Sequence, residues 1–386
     1  MDPPAAAALM DELVKEILIR VPPDDPASLV GAALVCKRWC RLIAGASFRC
    51  RFRELHPAPP MLGYLYRRPK DTGFVPTSSF RPPHAVRDGW RVLDARHGRV
   101  LVLDAAEQYK TMDMALVVWD PVSDEQRRLS ALWSLFSSWS AALLCATAGC
   151  DHLDCCRGPF LVVFVATGFI LPAETSAYLY SSEQGVWSEP LDVYDSDDCI
   201  LILHRALVGN SLYFNYEPNT RILEYNLGRQ ELSVIKLPSA FHGWHVALME
   251  SEDGVLGFAT LQESKLSLWA REAGPDGYAS WAQRRVIELD KLLPVSDCSR
   301  LLSPYMDPIA CPPYVVAVTD GVDVIFVWTD DGLFAIHLKS SRAKKIGQFI
   351  SNFGVVPYMS FCTPVLSLAL TGKEEPRLDA LIASQT

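Results

Sequence analysis

Residues 9–22 read LMDELVKEILIRVP, and residues 34–43 read LVCKRWCRLI. In the first segment the apolar side chains recur every three or four positions, which is the spacing of one face of an α-helix. Pro22 and Pro23 end this helix, because proline lacks the backbone N–H donor and restricts the residue before it. The segments carry more apolar surface than a marginal unit of about fifty residues can bury alone. We therefore predict a short helical domain whose spare apolar face binds another protein.

Two further signals place the next helices. Asp25 is a good N-cap and Pro26 fits the first helical position, so a second helix is predicted to begin there. A further turn or a separate helix carries Trp39 and Leu42, and Gly45 is expected to end it. The periodicity is equally consistent with a plain three-helix cap that packs on the rest of the chain.

The same segment resembles an F-box, the adaptor-binding motif of cullin-type ubiquitin ligases. The matching pieces are Leu13, Glu16-Ile17-Leu18, Arg20-Val21-Pro22, Ser28-Leu29, residues 35–43 and Phe48. Many F-boxes open with Leu-Pro, and here Met10 replaces that proline. The resemblance implies a three-helix domain over residues 1–56 that docks on a Skp-type adaptor. By position it assigns adaptor binding to Leu9, Leu13, Ile17, Leu18, Leu29, Val35, Cys36, Trp39 and Leu42.

From residue 57 onward, short apolar runs replace the helical period. Turn dipeptides suited to hairpins separate several of them, at Gly209-Asn210, Asp253-Gly254 and Asp331-Gly332. The runs group into units of roughly forty to sixty residues, which is within the range of propeller blades. We predict a mainly-β domain over residues 57–372, a β-propeller of about six four-stranded blades, with a two-sheet β-sandwich as the alternative. The fold class is then α+β multidomain, and residues 373–386 form a loosely ordered tail.

A second resemblance extends over nearly the whole chain. Its pieces are residues 52–56, residues 59–63, Trp119-Asp120-Pro121 and the segment from Cys145 to Phe164. They look like those of grass-type plant F-box proteins with a β-rich associated domain. That resemblance implies a substrate receptor, but it does not carry over the identity of the target protein.

Composition limits the partners. The 386 residues include 36 basic and 45 acidic side chains, for a net charge of −9, which disfavours nucleic acid as a partner. Eleven cysteines, with no basic start or apolar run of a signal peptide, favour free thiols in the cytoplasm, the nucleus or both. Residues 129–150 lack charge but are rich in serine, so we predict a loop and a buried strand rather than a membrane span.

The densest group of potential metal ligands is Cys150-Asp151-His152-x-Asp154-Cys155-Cys156. Zinc prefers cysteine and histidine in tetrahedral sets. The spacing is not a paired Cys-x-x-Cys, so we expect a loop with one or two buried thiols and no metal, and zinc remains the alternative. We expect no cofactor and no catalytic residue, because the common nucleophile, phosphate-loop and metalloprotease motifs are absent.

These observations predict a non-catalytic substrate-recognition subunit of a Skp–cullin–F-box ubiquitin ligase. The helical domain would bind the Skp-type adaptor and through it the cullin, and the β domain would hold a target protein for ubiquitin-dependent degradation. Two alternatives remain: a non-degradative scaffold that binds the adaptor without a cullin, and a propeller that acts as a small-molecule receptor or enzyme.

Overall fold

The computed structural model describes most of the chain. The described residues are 4–56, 59–67, 71–105, 113–130, 132–133, 136–150, 152, 155, 158–168, 174–194, 198–217, 219–242, 245–262, 264–274, 279–293, 314–319, 323–329, 331–347 and 354–361. The predicted tail at 373–386 lies outside them.

The helical domain consists of four helices. They are α1 (Pro4–Leu18), α2 (Pro26–Val35), α3 (Lys37–Ala44) and α4 (Ala46–Leu55). Asp25 occupies the N-cap of α2 with Pro26 at its start, as predicted. The predicted count of three helices is corrected to four, because the extended backbone of Gly45 (φ −65°, ψ 140°) separates α3 from α4.

The first three sheets are formed by residues 61–194, except for one strand of the first sheet, which comes from residues 355–359. The first, in the order β27-β1-β2-β3, contains β1 (Met61–Arg67), β2 (Asp71–Pro76), β3 (Val86–Asp88) and β27 (Val355–Met359). The second contains β4 (Trp90–Arg96), β5 (Arg99–Asp104), β7 (Leu116–Trp119) and β8 (Gln126–Arg128), and β6 (Asp113–Met114) pairs separately with β9 (Leu132–Trp133). The third contains β10 (Phe136–Cys145), β11 (Phe160–Gly168), β12 (Glu174–Ser181) and β13 (Val186–Trp187), with β14 (Leu191–Tyr194) paired to β12.

The last three sheets each follow chain order. The fourth contains β15 (Cys199–Val208), β16 (Ser211–Glu217), β17 (Arg221–Asn226) and β18 (Glu231–Lys236). The fifth contains β19 (Val246–Glu250), β20 (Leu256–Gln262), β21 (Lys265–Ala273) and β22 (Ala279–Glu288). The sixth contains β23 (Tyr314–Val318), β24 (Val324–Thr329), β25 (Gly332–His337) and β26 (Arg342–Gly347). Short 3₁₀ helices span Ser239–Phe241 and Leu289–Lys291.

These six sheets are the blades of a β-propeller, so the predicted fold class is confirmed and the sandwich alternative is wrong. The strands of the fourth, fifth and sixth sheets pair antiparallel throughout. Inner strands such as β5 and β24 are buried at every position, which explains their continuous apolar runs. The outer strand β8 is exposed and polar, and such a strand resists pairing with another chain.

The described chain packs as two compact units. Of the described residues, the first comprises those within 4–132, 143–161 and 356–361, and the second comprises those within 133–142 and 162–355. The first unit contains one apolar core among the helices and another that includes Trp90, Trp119 and Tyr358. The second unit has cores around Phe258 and around Ile325. The helices end at Leu55 and the first strand begins at Met61, and the predicted domain boundary between residues 56 and 57 stays a prediction.

Tyr358 on β27 is fully buried in the core of the first sheet. Its ring stacks on Phe80 with the centroids 5.9 Å apart and meets Phe74 edge-on at 6.1 Å. Its hydroxyl donates a hydrogen bond to the carbonyl oxygen of Gly98 at 3.0 Å, in the turn between β4 and β5. One side chain from the far end of the chain therefore contacts two sheets.

We expect Tyr358→Ala to lower the free energy of unfolding by about 3–5 kcal/mol, because it leaves a cavity where an aromatic ring was packed. Tyr358→Phe keeps the ring and removes one hydrogen bond, so it is expected to cost about 1 kcal/mol. Urea unfolding measures both, with Val286→Ala on exposed β22 as the control. A Tyr358→Ala variant as stable as this control would show that β27 does not stabilise the first sheet.

Candidate functional site

The core of the helical domain defines which apolar residues remain for a partner. Eight side chains form it: Leu18, Ile19, Leu29, Val30, Ala33, Ile43, Phe48 and Phe52. Leu18 and Leu29, both assigned to adaptor binding by position, are only 6% and 2% exposed. Both side chains pack in the core of the helical domain, and adaptor contact at these two positions stays a prediction.

Other apolar side chains on α1 and α2 point to solvent. Of the ten large apolar side chains that the described residues expose, five lie on these two short helices. Their exposed fractions are 60% for Met10, 63% for Leu13, 67% for Ile17, 45% for Leu34 and 66% for Val35. We call these five the exposed apolar set. Met10, Leu13 and Ile17 lie on one face of α1, and exposed apolar patches of this kind often mark protein interaction sites.

The remaining predicted contacts divide between surface and core. Cys36 is exposed and forms the N-cap of α3, where its Sγ accepts a hydrogen bond from the backbone N–H of Trp39 at 3.5 Å. Trp39 and Leu42 are half-buried, and Trp39 packs against the core. Leu9 lies within α1, and its side chain falls outside the described part of the chain.

Sequence reasoning missed two members of the exposed apolar set, Met10 and Leu34. Met10 precedes Leu13 by three positions and Ile17 by seven, so all three share one face of α1. That spacing was sufficient to find Met10. Leu34 had no such signal, because it continues an apolar run at the end of α2.

Two ion pairs join α3 and α4 to α1. The Arg38 Nε donates to the Asp11 carboxylate at 2.6 Å, which joins α3 to α1. Arg51 pairs with Glu16 and joins α4 to α1. These pairs are solvent-exposed, and such pairs typically contribute below about 1 kcal/mol each. They orient the helices, while the apolar core supplies the stability.

The start of α2 is bound to the segment that follows β2. The Ser79 hydroxyl donates to the Asp25 carboxylate and accepts from the Ala27 N–H, both at 3.1 Å. The Asp25 carboxylate also accepts from the Ser28 hydroxyl at 2.5 Å. This bond from Ser28 is the main reason that the pKa of Asp25 is lowered. At neutral pH a charged carboxylate therefore holds both α2 and Ser79.

A second cluster lies between β10 and β11. The ligand atoms of Cys145, Cys150, His152 and Cys155 all lie within 4.8 Å of one another. Burial, with the neighbouring Cys145 and Cys150 thiols, raises the pKa of the Cys155 thiol. The His152 ring stacks on His97 with the centroids 4.2 Å apart, and burial lowers the pKa of His97 to about 4. Outside the described residues lie Asp151, Asp154 and Cys156.

The predicted loop with one buried thiol is present, since Cys155 is buried. The prediction did not include Cys145, which the end of β10 brings to the same place. None of the described helices is long and apolar enough to cross a membrane.

Two family descriptions match the chain. Residues 9–51 match the F-box domain, and residues 91–366 match the family described as F-box protein AT5G49610-like, beta-propeller. The chain belongs to this F-box β-propeller family. An F-box implies binding to a Skp-type adaptor, and F-box proteins are generally non-catalytic substrate receptors. The exposed apolar set therefore lies on the part of the F-box protein where an adaptor partner is implied.

Other comparisons add little to the family assignment. No curated protein matches the chain. Two solved extracellular domains of BT4673 from B. thetaiotaomicron, one described as a one component system and one as a hybrid two component system, share 11% identity with it. The matches cover 67% of this chain and 28% and 27% of theirs, with TM-scores of 0.31 and 0.33. This F-box protein spans less than a third of the length of these two domains. TM-scores this low carry no argument about its fold or its function.

We expect Asp25→Ala to destabilise the F-box by about 1 kcal/mol, because it removes the acceptor for the Ser28 and Ser79 hydroxyls at the start of α2. Hydrogen exchange of the α2 amides is the sensitive measurement, since a small helical unit opens locally before the whole chain unfolds. The neighbouring exposed Asp24 provides the matched control, and Asp24→Ala should leave α2 exchange within about 0.5 kcal/mol of the wild type. Equal exchange in the two variants would show that Asp25 does not fix α2.

Proposed function

We propose that this protein is the substrate-recognition subunit of a Skp–cullin–F-box ubiquitin ligase that promotes ubiquitin-dependent degradation. One observation carries the proposal: α1 and α2 expose five large apolar side chains in a chain that belongs to an F-box propeller family. We further propose that it resembles grass-type plant F-box proteins with a β-rich associated domain.

The energetics of the exposed apolar set favour a protein partner. Burying one side chain of this size contributes about 1.5–3 kcal/mol. Because the five side chains are only 45–67% exposed, burying the exposed fraction provides about 4–9 kcal/mol in total, from which the costs of association must be subtracted. Charged residues intersperse the set along α1, with Glu12 paired to Lys15 at 2.9 Å. An apolar centre with a charged rim is the usual composition of a protein interface.

The propeller would bind the target protein, and the F-box would bind the adaptor and through it the cullin. The contribution of this chain is then proximity, because holding a target near the ubiquitin carrier raises its effective concentration. No residue of the chain makes or breaks a bond in this scheme, so it needs neither a metal nor a cofactor for chemistry. We propose that it acts in the cytoplasm, the nucleus or both, with no nucleic acid or membrane partner.

Binding to a Skp-type adaptor tests the proposal. We expect Ile17→Glu and Val35→Glu each to weaken adaptor binding by at least about tenfold, because each places a charge in an apolar interface. Co-expression of the full chain with the adaptor, followed by titration calorimetry, measures the loss. Leu55→Glu on α4 is the matched control, since Leu55 is 53% exposed but lies outside the assigned set.

Two outcomes would contradict the proposal. Wild-type affinity in the Ile17→Glu and Val35→Glu variants would show that the adaptor binds elsewhere or does not bind. Adaptor binding without recovery of a cullin from the same complex would favour the non-degradative scaffold. Circular dichroism of each variant checks that the helices remain folded.

A further inference from the structure

The cluster between β10 and β11 has the dimensions of a tetrahedral metal site. Two sulfurs bound at about 2.3 Å to a tetrahedral zinc lie about 3.8 Å apart, and a sulfur and a nitrogen lie about 3.6 Å apart. The Cys155 Sγ is 3.7 Å from the His152 Nδ1. All four ligand atoms lie within 4.8 Å of one another, so shifts of about 1 Å or less complete the tetrahedron.

The donor set selects the metal. Three cysteines and one histidine form one of the standard structural zinc sets. All four ligands come from the protein, which leaves no open position for a substrate, so such a site is structural and not catalytic. Cys145, Cys150 and Cys155 are free thiols and thus available as ligands.

The backbone of the loop is shaped around these four groups. Cys145 is the last residue of β10, and the Ala146 N–H bonds the carbonyl oxygen of Pro159 at 3.1 Å, which closes the loop where β11 begins. Gly149 and His152 adopt positive φ angles of 65° and 56°. A non-glycine residue such as His152 is uncommon in this conformation.

The loop also has hydrogen bonds typical of metal-bound thiolates. The His152 N–H donates to the Cys150 Sγ at 3.4 Å, and such outer contacts orient ligating groups. The His152 ring packs on His97 in the turn between β4 and β5. At the start of β5, the Arg99 side chain donates to the carbonyl oxygen of Gly158. A metal at the cluster would therefore fix the loop beside the second sheet.

The connection between β10 and β11 is much longer than a usual hairpin loop of about 2–5 residues. Residues 146–159 separate β10 from β11, whereas residues 209–210 alone separate β15 from β16. Loops longer than about 12–15 residues are uncommon in compact domains unless they are functional or held in place. Closing a long loop through one ion stabilises the folded chain, because the cross-link lowers the conformational entropy of the unfolded loop.

We propose that Cys145, Cys150, His152 and Cys155 bind one structural zinc ion that fixes the β10–β11 loop. The proposal departs from the expectation of unliganded thiols, because the end of β10 brings Cys145 to the other three groups as a fourth ligand. It is independent of adaptor binding, which the F-box performs.

Zinc content of the purified full chain tests the proposal. We expect about one zinc per wild-type chain, and at least a tenfold lower content in Cys150→Ser, because a site with two sulfurs and one nitrogen binds more weakly. Cys199→Ser is the matched control, since Cys199 is a free, partly exposed thiol of the propeller outside the cluster. Equal zinc content in wild type and Cys150→Ser would overturn the proposal.

Thiol reactivity of the wild type keeps the test decisive even if Cys150→Ser fails to fold. With zinc present, Cys145, Cys150 and Cys155 should resist alkylation, and a chelator should make all three reactive together. Cys36 and Cys50 are exposed on the F-box and should react in both conditions. If zinc or a chelator does not change the alkylation of these three thiols, the proposed site is contradicted. A disulfide among them in mass spectra would also contradict it.

Discussion

The pairing of β27 with β1 is the contact on which the first unit depends. The first sheet draws three strands from residues 61–88 and its fourth from residues 355–359. Just beyond that strand, Phe361 packs against the helical core and meets Phe52 edge-on at 6.4 Å. One short segment therefore completes a blade and contacts the F-box. Residues 355–361 lie far from residues 52–88 in sequence, so bringing the two segments together costs loop-closure entropy. The burial of apolar side chains on both segments must offset this cost.

Local signals predicted much of the fold. Asp25-Pro26 marked the start of α2, because capping depends on adjacent residues. Gly209-Asn210 marked the turn between β15 and β16, where Gly209 has a φ of 56° that a hairpin requires. The pairing of β27 with β1 was not predictable in this way, since no nearby residue records which distant strand completes the sheet. Gly45 was recognised as a helix end, but the helix that follows it was not counted.

The candidate site shows the limit of assigning roles by position in a motif. An amphipathic helix here has two apolar sides, with Leu18 facing the domain core and Ile17 facing solvent. Sequence spacing identifies both as apolar but does not tell which side the core takes. The same limit applied to the thiols, because Cys145 belongs to a strand and only the fold brings it to Cys150. Burial in the folded chain separates the residues that stabilise a domain from those that contact a partner.

Hydrogen exchange of the full chain, with and without a Skp-type adaptor, tests the central claim most directly. Exchange in residues 10–17 and 34–36 is expected to slow when the adaptor is bound, because these segments carry the exposed apolar set. Exchange in the sheets should stay the same. Protection confined to the propeller, or no protection anywhere in α1 and α2, would contradict the claim that this surface receives the adaptor.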